Sequence, residues 1–235
     1  MDSGLVGGHV MSNRPRKTEN QNKLAPRPVV TRLSLYLRQL EILQATGQSC
    51  VSSNQIARIL QLSDAQVRKD LAFFGQFGHP GIGYRIDELQ VAIRRALGTD
   101  KLWPLAIIGF GNLGRALLRY REFDSHGFRI AAIFDNDPKK LGTIANEMEV
   151  YPLAKVSEIC NKHGISIAAL TVPAEVAQDV ANQLIHSGVR GILNFAPVVL
   201  RLPESVSVVS VDLSLQLEQL VYKVSHAGGG NQRAH

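Results

Sequence analysis

The hexapeptide Gly109-Phe110-Gly111-Asn112-Leu113-Gly114 constrains this chain more than any other stretch, because of what flanks it. It follows a continuous apolar run, residues 105–108, and opens a segment, residues 113–120, with helical apolar spacing. A strand, a glycine turn and a helix in that order present free backbone N–H groups to a phosphate. The first glycine permits the turn, the second leaves room for a pyrophosphate against the backbone, and the third lets helix pack closely on strand. A bare G-x-G-x-x-G is a weak signal, but here a second observation supports it. Asp135 closes the next apolar run, residues 129–134, about 20 residues beyond the glycines, where a carboxylate can accept hydrogen bonds from the hydroxyls of an adenosine ribose. A 2′-phosphate there would meet a like charge, which favours NAD (NADH and NAD+) over its phosphorylated form; nearby Lys139 and Lys140 act in the opposite direction.

Beyond Asp135 the alternation continues, with helical spacing at 157–163, an apolar run at 165–172, a helix at 174–187 ended by Gly188, and strands at 191–195 and 206–211. Such alternation predicts an α/β domain of Rossmann type, a doubly wound parallel sheet. Ligands bind beyond the carboxyl ends of the strands in these sheets, so Pro173, Asn194 and Phe195 are candidates to line a nicotinamide pocket, with ordinary strand-end packing as the alternative. A last helix, 212–224, carries Leu213, Leu217, Leu220, Val221 and Val224 in one stripe. That stripe requires burial against the chain's own sheet or a second subunit.

The N-terminal part differs in charge and period. Residues 1–100 hold 13 Lys/Arg against 8 Asp/Glu, and the remainder 13 against 12, so the basic excess is N-terminal and raises the expectation of a polyanionic partner there. Residues 1–28, rich in Gly, Asn, Pro and basic side chains, read as a disordered basic arm closed by Pro26 and Pro28. From Thr31 an amphipathic helix carries Leu33, Tyr36, Leu37, Leu40 and Leu43 to a stop at Gly47. A short second helix starts at Ser52, whose spacing to Gln55 fits a capping box, with Ile56, Ile59 and Leu60 inward. A third starts after Ser63, again with Gln66 at the reciprocal position, and buries Val67, Leu71 and Phe74. Gln66, Arg68, Lys69 and Phe73 then face elsewhere. The glycine-rich stretch 75–84 suits a hairpin, and a further helix spans 87–97. Three helices and a hairpin form a winged helix-turn-helix, whose third helix reads the major groove: Gln suits adenine, and Arg guanine. The domain organisation predicted is an arm at 1–28, a DNA-binding domain at 29–98, a dinucleotide domain at 99–211 and a dimerisation helix at 212–226.

Cys50 and Cys160 are isolated, so neither a disulfide framework nor a cysteine-rich metal site is expected. No apolar run approaches the ~20 residues that span a bilayer, and the N-terminus has no signal-peptide apolar stretch, so the expected location is the cytoplasm. His126, His163, His186 and His226 show no telling spacing to carboxylates. No catalytic residue is nominated, and binding without turnover is the expectation. Two alternatives stay open: an NAD-dependent oxidoreductase with an accessory N-terminal domain, and a CoA- or nucleotide-binding module with no DNA role.

Five segments in this order resemble the Rex family of redox-sensing bacterial transcriptional repressors over nearly the whole chain, about 32–224. They are Gln66-Val67-Arg68-Lys69-Asp70-Leu71, Gly81-Ile82-Gly83-Tyr84, the Gly109 to Gly114 hexapeptide, the run from Ile192 through Asn194, Phe195 and Pro197 to Val199, and Val211-Asp212-Leu213. The resemblance implies a homodimer with a domain-swapped C-terminal helix and repression of operator DNA with an inverted repeat, relieved by NADH. It places Ser53, Gln66, Arg68, Lys69, Phe73, Gly81, Gly83 and Tyr84 at the DNA and Arg38, Tyr120 and Asp212 in a polar switch. One departure stands out. Where the family's wing commonly has a Thr-Arg pair, this chain has His79-Pro80, which removes an arginine available to the minor groove.

Overall fold

The computed structural model describes residues 25–79 and 81–227, so the expected arm lies outside the described residues up to residue 24, as does Pro80 of the wing. Chain contacts divide the molecule into two compact units, Met1–Ile93 and Arg94–His235.

In the first unit, helix α1 (Arg27–Ala45) begins earlier than its apolar pattern, because Pro28 occupies its first turn. A proline there lacks only an N–H that has no helical partner in any case, so the residue expected to close the arm instead starts the helix. Strand β1 (Cys50–Val51) and helix α2 (Ser53–Leu60) follow, the helix capped by the Ser52 side chain accepting from the Gln55 amide. Only Ile56 and Ala57 of α2 are buried, whereas Ile59, expected inward, is exposed. Gln61 takes the left-handed conformation at the joint, and helix α3 (Asp64–Phe74) starts under the Ser63 cap, which accepts from the Gln66 amide. Its buried positions are Val67, Asp70 and Leu71; Phe74, expected inward, is half-buried. Strand β2 (Tyr84–Arg85) leads into helix α4 (Ile86–Leu97). The wing is a short bridge between His79 and Gly83, and β2 pairs antiparallel with β1. A Cβ on Gly83, where φ is +89°, would lie 2.6 Å from the Val51 carbonyl oxygen, so only glycine lets the wing approach β1.

The second unit is a seven-stranded sheet. Its elements in chain order are β3 (Trp103–Ile108), α5 (Asn112–Leu118), α6 (Glu122–Ser125), β4 (Phe128–Asp135), β5 (Ile144–Ala145), β6 (Met148–Pro152), α7 (Val156–His163), β7 (Ile167–Leu170), α8 (Ala174–His186), β8 (Gly191–Asn194), β9 (Ser207–Ser210) and α9 (Leu213–Ala227). The order across the sheet is β5-β6-β4-β3-β7-β8-β9, parallel throughout except for β5. Without the antiparallel β5, this is the dinucleotide-fold order, in which the chain reverses direction of growth between β3 and β7. Strand β3 starts two residues before the apolar run 105–108, at Trp103 and Pro104, where a proline near a strand's start removes little pairing.

The core lies on both faces of the sheet. Ala106, Ala132 and Ala168 leave room for α7 and α8 over one face, which Ile108, Phe134, Leu170 and Leu184 fill. Phe110, Ile133 and Val150 form a smaller cluster. Phe134 is fully buried, and truncating such a side chain to alanine costs about 3–5 kcal/mol. Cys160 belongs to the same core, and burial pushes its thiol up to about 11, leaving it an unreactive apolar group. Helix α9 is the exception to burial: Leu213, Leu217, Leu220, Val221 and Val224 are all more than half exposed.

Candidate functional site

Strand β3 delivers the glycine turn to the carboxyl edge of the sheet, and the three glycines have three separate reasons to lack a side chain. Gly109 has φ +97°, and an added Cβ would sit 2.7 Å from the Thr171 carbonyl oxygen. At Gly114 a Cβ would lie 2.1 Å from the Gly109 oxygen, so α5 packs on the turn only without it. Around Gly111 a Cβ would meet nothing within 4 Å. The open position is the one where a pyrophosphate is accommodated in this motif, and Gly111 caps α5 without a side-chain bond to the helix amides. Asn112 and Leu113 are exposed at the helix start, whereas the Phe110 ring is turned inward. Phe110 therefore contributes backbone to this turn.

Asp135 ends β4 beside the turn. One carboxylate oxygen accepts from the Phe110 amide at 2.7 Å and from Lys140 Nζ at 2.9 Å; the other accepts from the Asp137 amide at 2.8 Å. Burial alone would raise its pKa, but the Lys140 bond and the two amides outweigh burial and hold the carboxyl below its ordinary value. A carboxylate has about four acceptor sites, so Asp135 keeps capacity for a further donor such as a ribose hydroxyl. Lys140, which sequence reasoning weighed only for its charge, is thus part of the site, while Lys139 is exposed.

A cavity of about 550 Å³ lies at the carboxyl ends of β3, β4 and β7. Its walls include Gly109, Gly111, Asp135, Asn136, Lys140, Leu153, Thr171, Val172, Pro173 and Val176. This is the reversal point of the strand order, where open α/β sheets bind ligands, and the volume is in the range of small-molecule sites. Thr171 went unnoticed in the sequence; its hydroxyl donates toward the Ile108 and Gly109 carbonyl oxygens at 3.0 and 2.7 Å and ties the glycine turn to β7. Of the three nicotinamide candidates, Pro173 lines the cavity. Asn194 does not: it is fully buried, its amide donating to the Ala196 and Val198 carbonyls and its oxygen accepting from the Ala196 amide. That carboxamide shapes the loop after β8. Phe195, half-buried in the same loop, is also absent from the walls.

In the first unit Asp70 organises the inner face of α3. Its carboxylate is 2% exposed and accepts from Arg32 Nε and Nη2 at 2.5 and 2.8 Å, the Tyr36 hydroxyl at 2.7 Å and Gln66 Nε2 at 2.7 Å. Burial opposes its charge, but the Arg32, Tyr36 and Gln66 bonds prevail and lower its pKa. Burial and the bond to Asp70 together raise that of the Tyr36 phenol well above normal. Gln66 is therefore half-turned inward, while Arg68 and Lys69 are exposed. Arg68 pairs with Asp64 one turn earlier, and the half-buried Ser53 side chain together with Arg68 lowers the pKa of Asp64. Phe73 meets Phe74 edge-on at 5.0 Å and is half-buried. Tyr84 and Gly83 are half-buried, and Gly81, with φ +77°, is exposed at the wing. His79 Nε2 lies 3.1 Å from Glu88.

Two family models match the chain: "Putative DNA-binding protein N-terminus" over residues 25–72 and "CoA binding domain" over residues 100–198. The redox-sensing transcriptional repressor Rex of Carboxydothermus hydrogenoformans is 46% identical over 199 residues, which span 85% of this chain and 96% of that protein. Rex of Pelotomaculum thermopropionicum is 45% identical, spanning 86% of this chain and 97% of its own. The chain belongs to the Rex family. Among solved structures, RSP, a Rex-family repressor, matches with a TM-score of 0.83 and 33% identity in its complex with NAD+ and operator DNA, covering 88% of this chain and 95% of RSP. RSP in complex with NADH matches with a TM-score of 0.79.

The residues carried over from Rex as a switch fall in both units. Arg38 is exposed on α1. Tyr120 is 51% exposed just after α5 and packs edge-on against Phe123 at 5.1 Å. It lines a second cavity, about 650 Å³, with Arg119, Arg121 and Arg129. Asp212 caps α9, one oxygen accepting from the Ser214 and Leu215 amides at 2.9 and 3.1 Å. Among the described residues no helix is long and apolar enough to cross a membrane, and no cluster of metal-ligating side chains occurs.

Proposed function

We propose that this chain is a redox-sensing transcriptional repressor that binds operator DNA when NADH is low and releases it when NADH binds. The observation that carries the reading is the site at the β3–α5 turn. Gly109 and Gly114 admit no side chain, Gly111 faces open space, and Asp135 stands beside a cavity of about 550 Å³. These residues fit an NAD molecule, with the pyrophosphate at Gly111 and the ribose toward Asp135 and Lys140. Binding adds no chemistry here. Asp135 and Lys140, the titratable groups among the described wall residues, are paired with each other, which favours binding over turnover.

The relative RSP has been solved with NAD+ and operator DNA and with NADH, and this chain carries the same fold at 33% identity. Residues 29–98 act as the DNA-binding domain, 99–211 as the dinucleotide domain and 212–226 as the dimerisation helix of a cytoplasmic homodimer. The exposed apolar stripe of α9 supports that last role, because a single chain leaves it uncovered. In a dimer the two α3 helices enter successive major grooves of an inverted repeat, about 34 Å apart. NADH shifts the dimer to a spacing that no longer fits, with Arg38, Tyr120 and Asp212 transmitting the change. A swing from 1:99 to 99:1 requires NADH to favour the released state by about 5.5 kcal/mol.

The test is fluorescence anisotropy of a labelled inverted-repeat duplex at one stated salt concentration, titrated separately with NAD+, NADH and CoA. Release by NADH at concentrations where NAD+ leaves the complex intact is the expected result. Equal release by both redox forms at matched occupancy would overturn the redox mechanism, and release by CoA alone would favour the CoA-binding alternative.

A further inference from the structure

We propose that the second unit holds a second ligand site, for an oligophosphate anion, in an arginine-lined groove that runs along α5 to the amino edge of the sheet, away from the cofactor cavity.

The groove consists of two cavities with shared walls. The larger, about 650 Å³, lies among the end of α5, helix α6 and the first residues of β4 and β6. Leu118, Ile130 and Met148, which pack on the small core cluster, give it an apolar side. Arg119, Arg121 and Arg129 line it against a single carboxylate, Asp124. Among the described residues none of these three guanidiniums has a hydrogen bond or an ion pair, to Asp124 or to any other group. A second cavity of about 370 Å³ shares Leu118, Arg119 and Asn146 with the first and adds Arg115, whose guanidinium stands 5.3 Å from the centre of the Phe110 ring.

Four arginines along one groove work against one another. Arg115 and Arg119 are four residues apart at the end of α5, and like charges at that spacing destabilise a helix. The dipole of α5 favours a cation near its carboxyl end, which accounts for one of them but not for Arg129, delivered by a strand. An anion lying along the row offsets the repulsion. The planar fork of a guanidinium matches phosphate oxygens two at a time, and a row that crosses two joined cavities fits an extended chain of phosphates better than one compact anion. The site is separate from the cofactor's. Arg129 is the second residue of β4 and Asp135 the last, which places them about 20 Å apart, and the walls of the two sites have no residue in common.

The experiment is isothermal titration calorimetry of the full chain with sodium tripolyphosphate and, separately, with ATP, both in saturating NADH so that the cofactor cavity is filled. One saturable site per chain is expected. Arg129→Gln and Arg121→Gln should each weaken binding by about tenfold, in line with loss of one charge-assisted hydrogen bond, while NADH affinity stays unchanged. The triple change Arg14→Gln, Arg16→Gln and Lys17→Gln, which removes basic side chains near the N-terminus, should leave the affinity as it was. Equal affinities for the two ligands would assign the groove to oligophosphate as such, and tighter binding of ATP to a nucleoside polyphosphate; either supports the site. Thermal melts and sedimentation velocity accompany each variant, and the two single arginine changes decide the matter independently if one of them fails to fold. Absence of saturable binding, binding that NADH abolishes, or binding that only the N-terminal variant weakens would overturn the inference. So would arginine variants that turn a dimer into a monomer, since the groove would then be a contact between subunits. None of these outcomes depends on whether NADH releases operator DNA.

Discussion

Gly111 and Gly114 are chemically identical and three residues apart, and the structure separates their roles. A methyl at position 114 would lie 2.1 Å from a backbone oxygen, so Gly114→Ala is expected to push α5 off β3 and lower stability by about 1–3 kcal/mol, read as a fall in the thermal midpoint. Gly111→Ala meets open space, so its melting curve should match the wild type while NADH affinity, followed by nucleotide fluorescence, drops about tenfold or more. If both variants lost stability equally, the open face of Gly111 would not be the phosphate approach. Asp135→Asn belongs to the same scale. Loss of a charged acceptor for ribose should weaken NADH binding by about 1.5–3 kcal/mol in the same titration. The spacing of the glycines and of Asp135 was enough to single these residues out. The bond from Lys140 to Asp135 and the role of Thr171 were not legible, because each depends on where a loop or a neighbouring strand lies.

At the scale of elements, Asp70 joins α3 to α1, and its titration should be visible in stability. Its folded pKa lies below the unfolded value of about 3.9, so the contribution is present above that pH and is lost as pH falls through the folded value. Tyr36 is raised above about 10, so its contribution is complete below that pH and is lost as pH climbs toward the folded value. Urea midpoints from pH 2 to 11 should therefore fall at both ends, and Asp70→Asn should flatten the acid end and, by removing one cause of the raised Tyr36 pKa, lessen the fall at the alkaline end. The β5–β6 hairpin carries another element-scale expectation. Asn146 and Glu147 both have positive φ, +47° and +66°, and Glu147→Gly should raise stability by about 1 kcal/mol, since glutamate has no local means of favouring that conformation. The same feature explains why the hairpin escaped notice in the sequence: without Gly in the turn, its signal is weak. Strand β1 was missed for a different reason, since two residues carry no period and acquire strand geometry only by pairing with β2.

For the whole molecule, α9 poses the largest question of burial. Its exposed Leu217, Leu220, Val221 and Val224 are expected to be covered by a second copy, and Leu217→Lys combined with Val221→Lys should convert a dimer to a monomer in sedimentation velocity. The same double variant should lose operator affinity by at least tenfold, because one α3 alone engages half an inverted repeat. A double variant that stays dimeric would mean that other surfaces join the subunits.

The sequence alone determined the α/β class, the glycine turn with its acidic partner, the helix starts at Ser52 and Ser63, and the helix-helix-helix-wing order. All of these are written in local chemistry: a missing Cβ, a hydroxyl cap, an apolar period. Only the tertiary structure decided which polar side chains face inward. Asn194 and Gln66 read as free to meet ligand or DNA, yet Asn194 is wholly engaged by its own loop and Gln66 is half-engaged by Asp70. Buried polar groups must find partners, and partners such as Arg32, 38 positions from Asp70 along the chain, come close only when the helices pack.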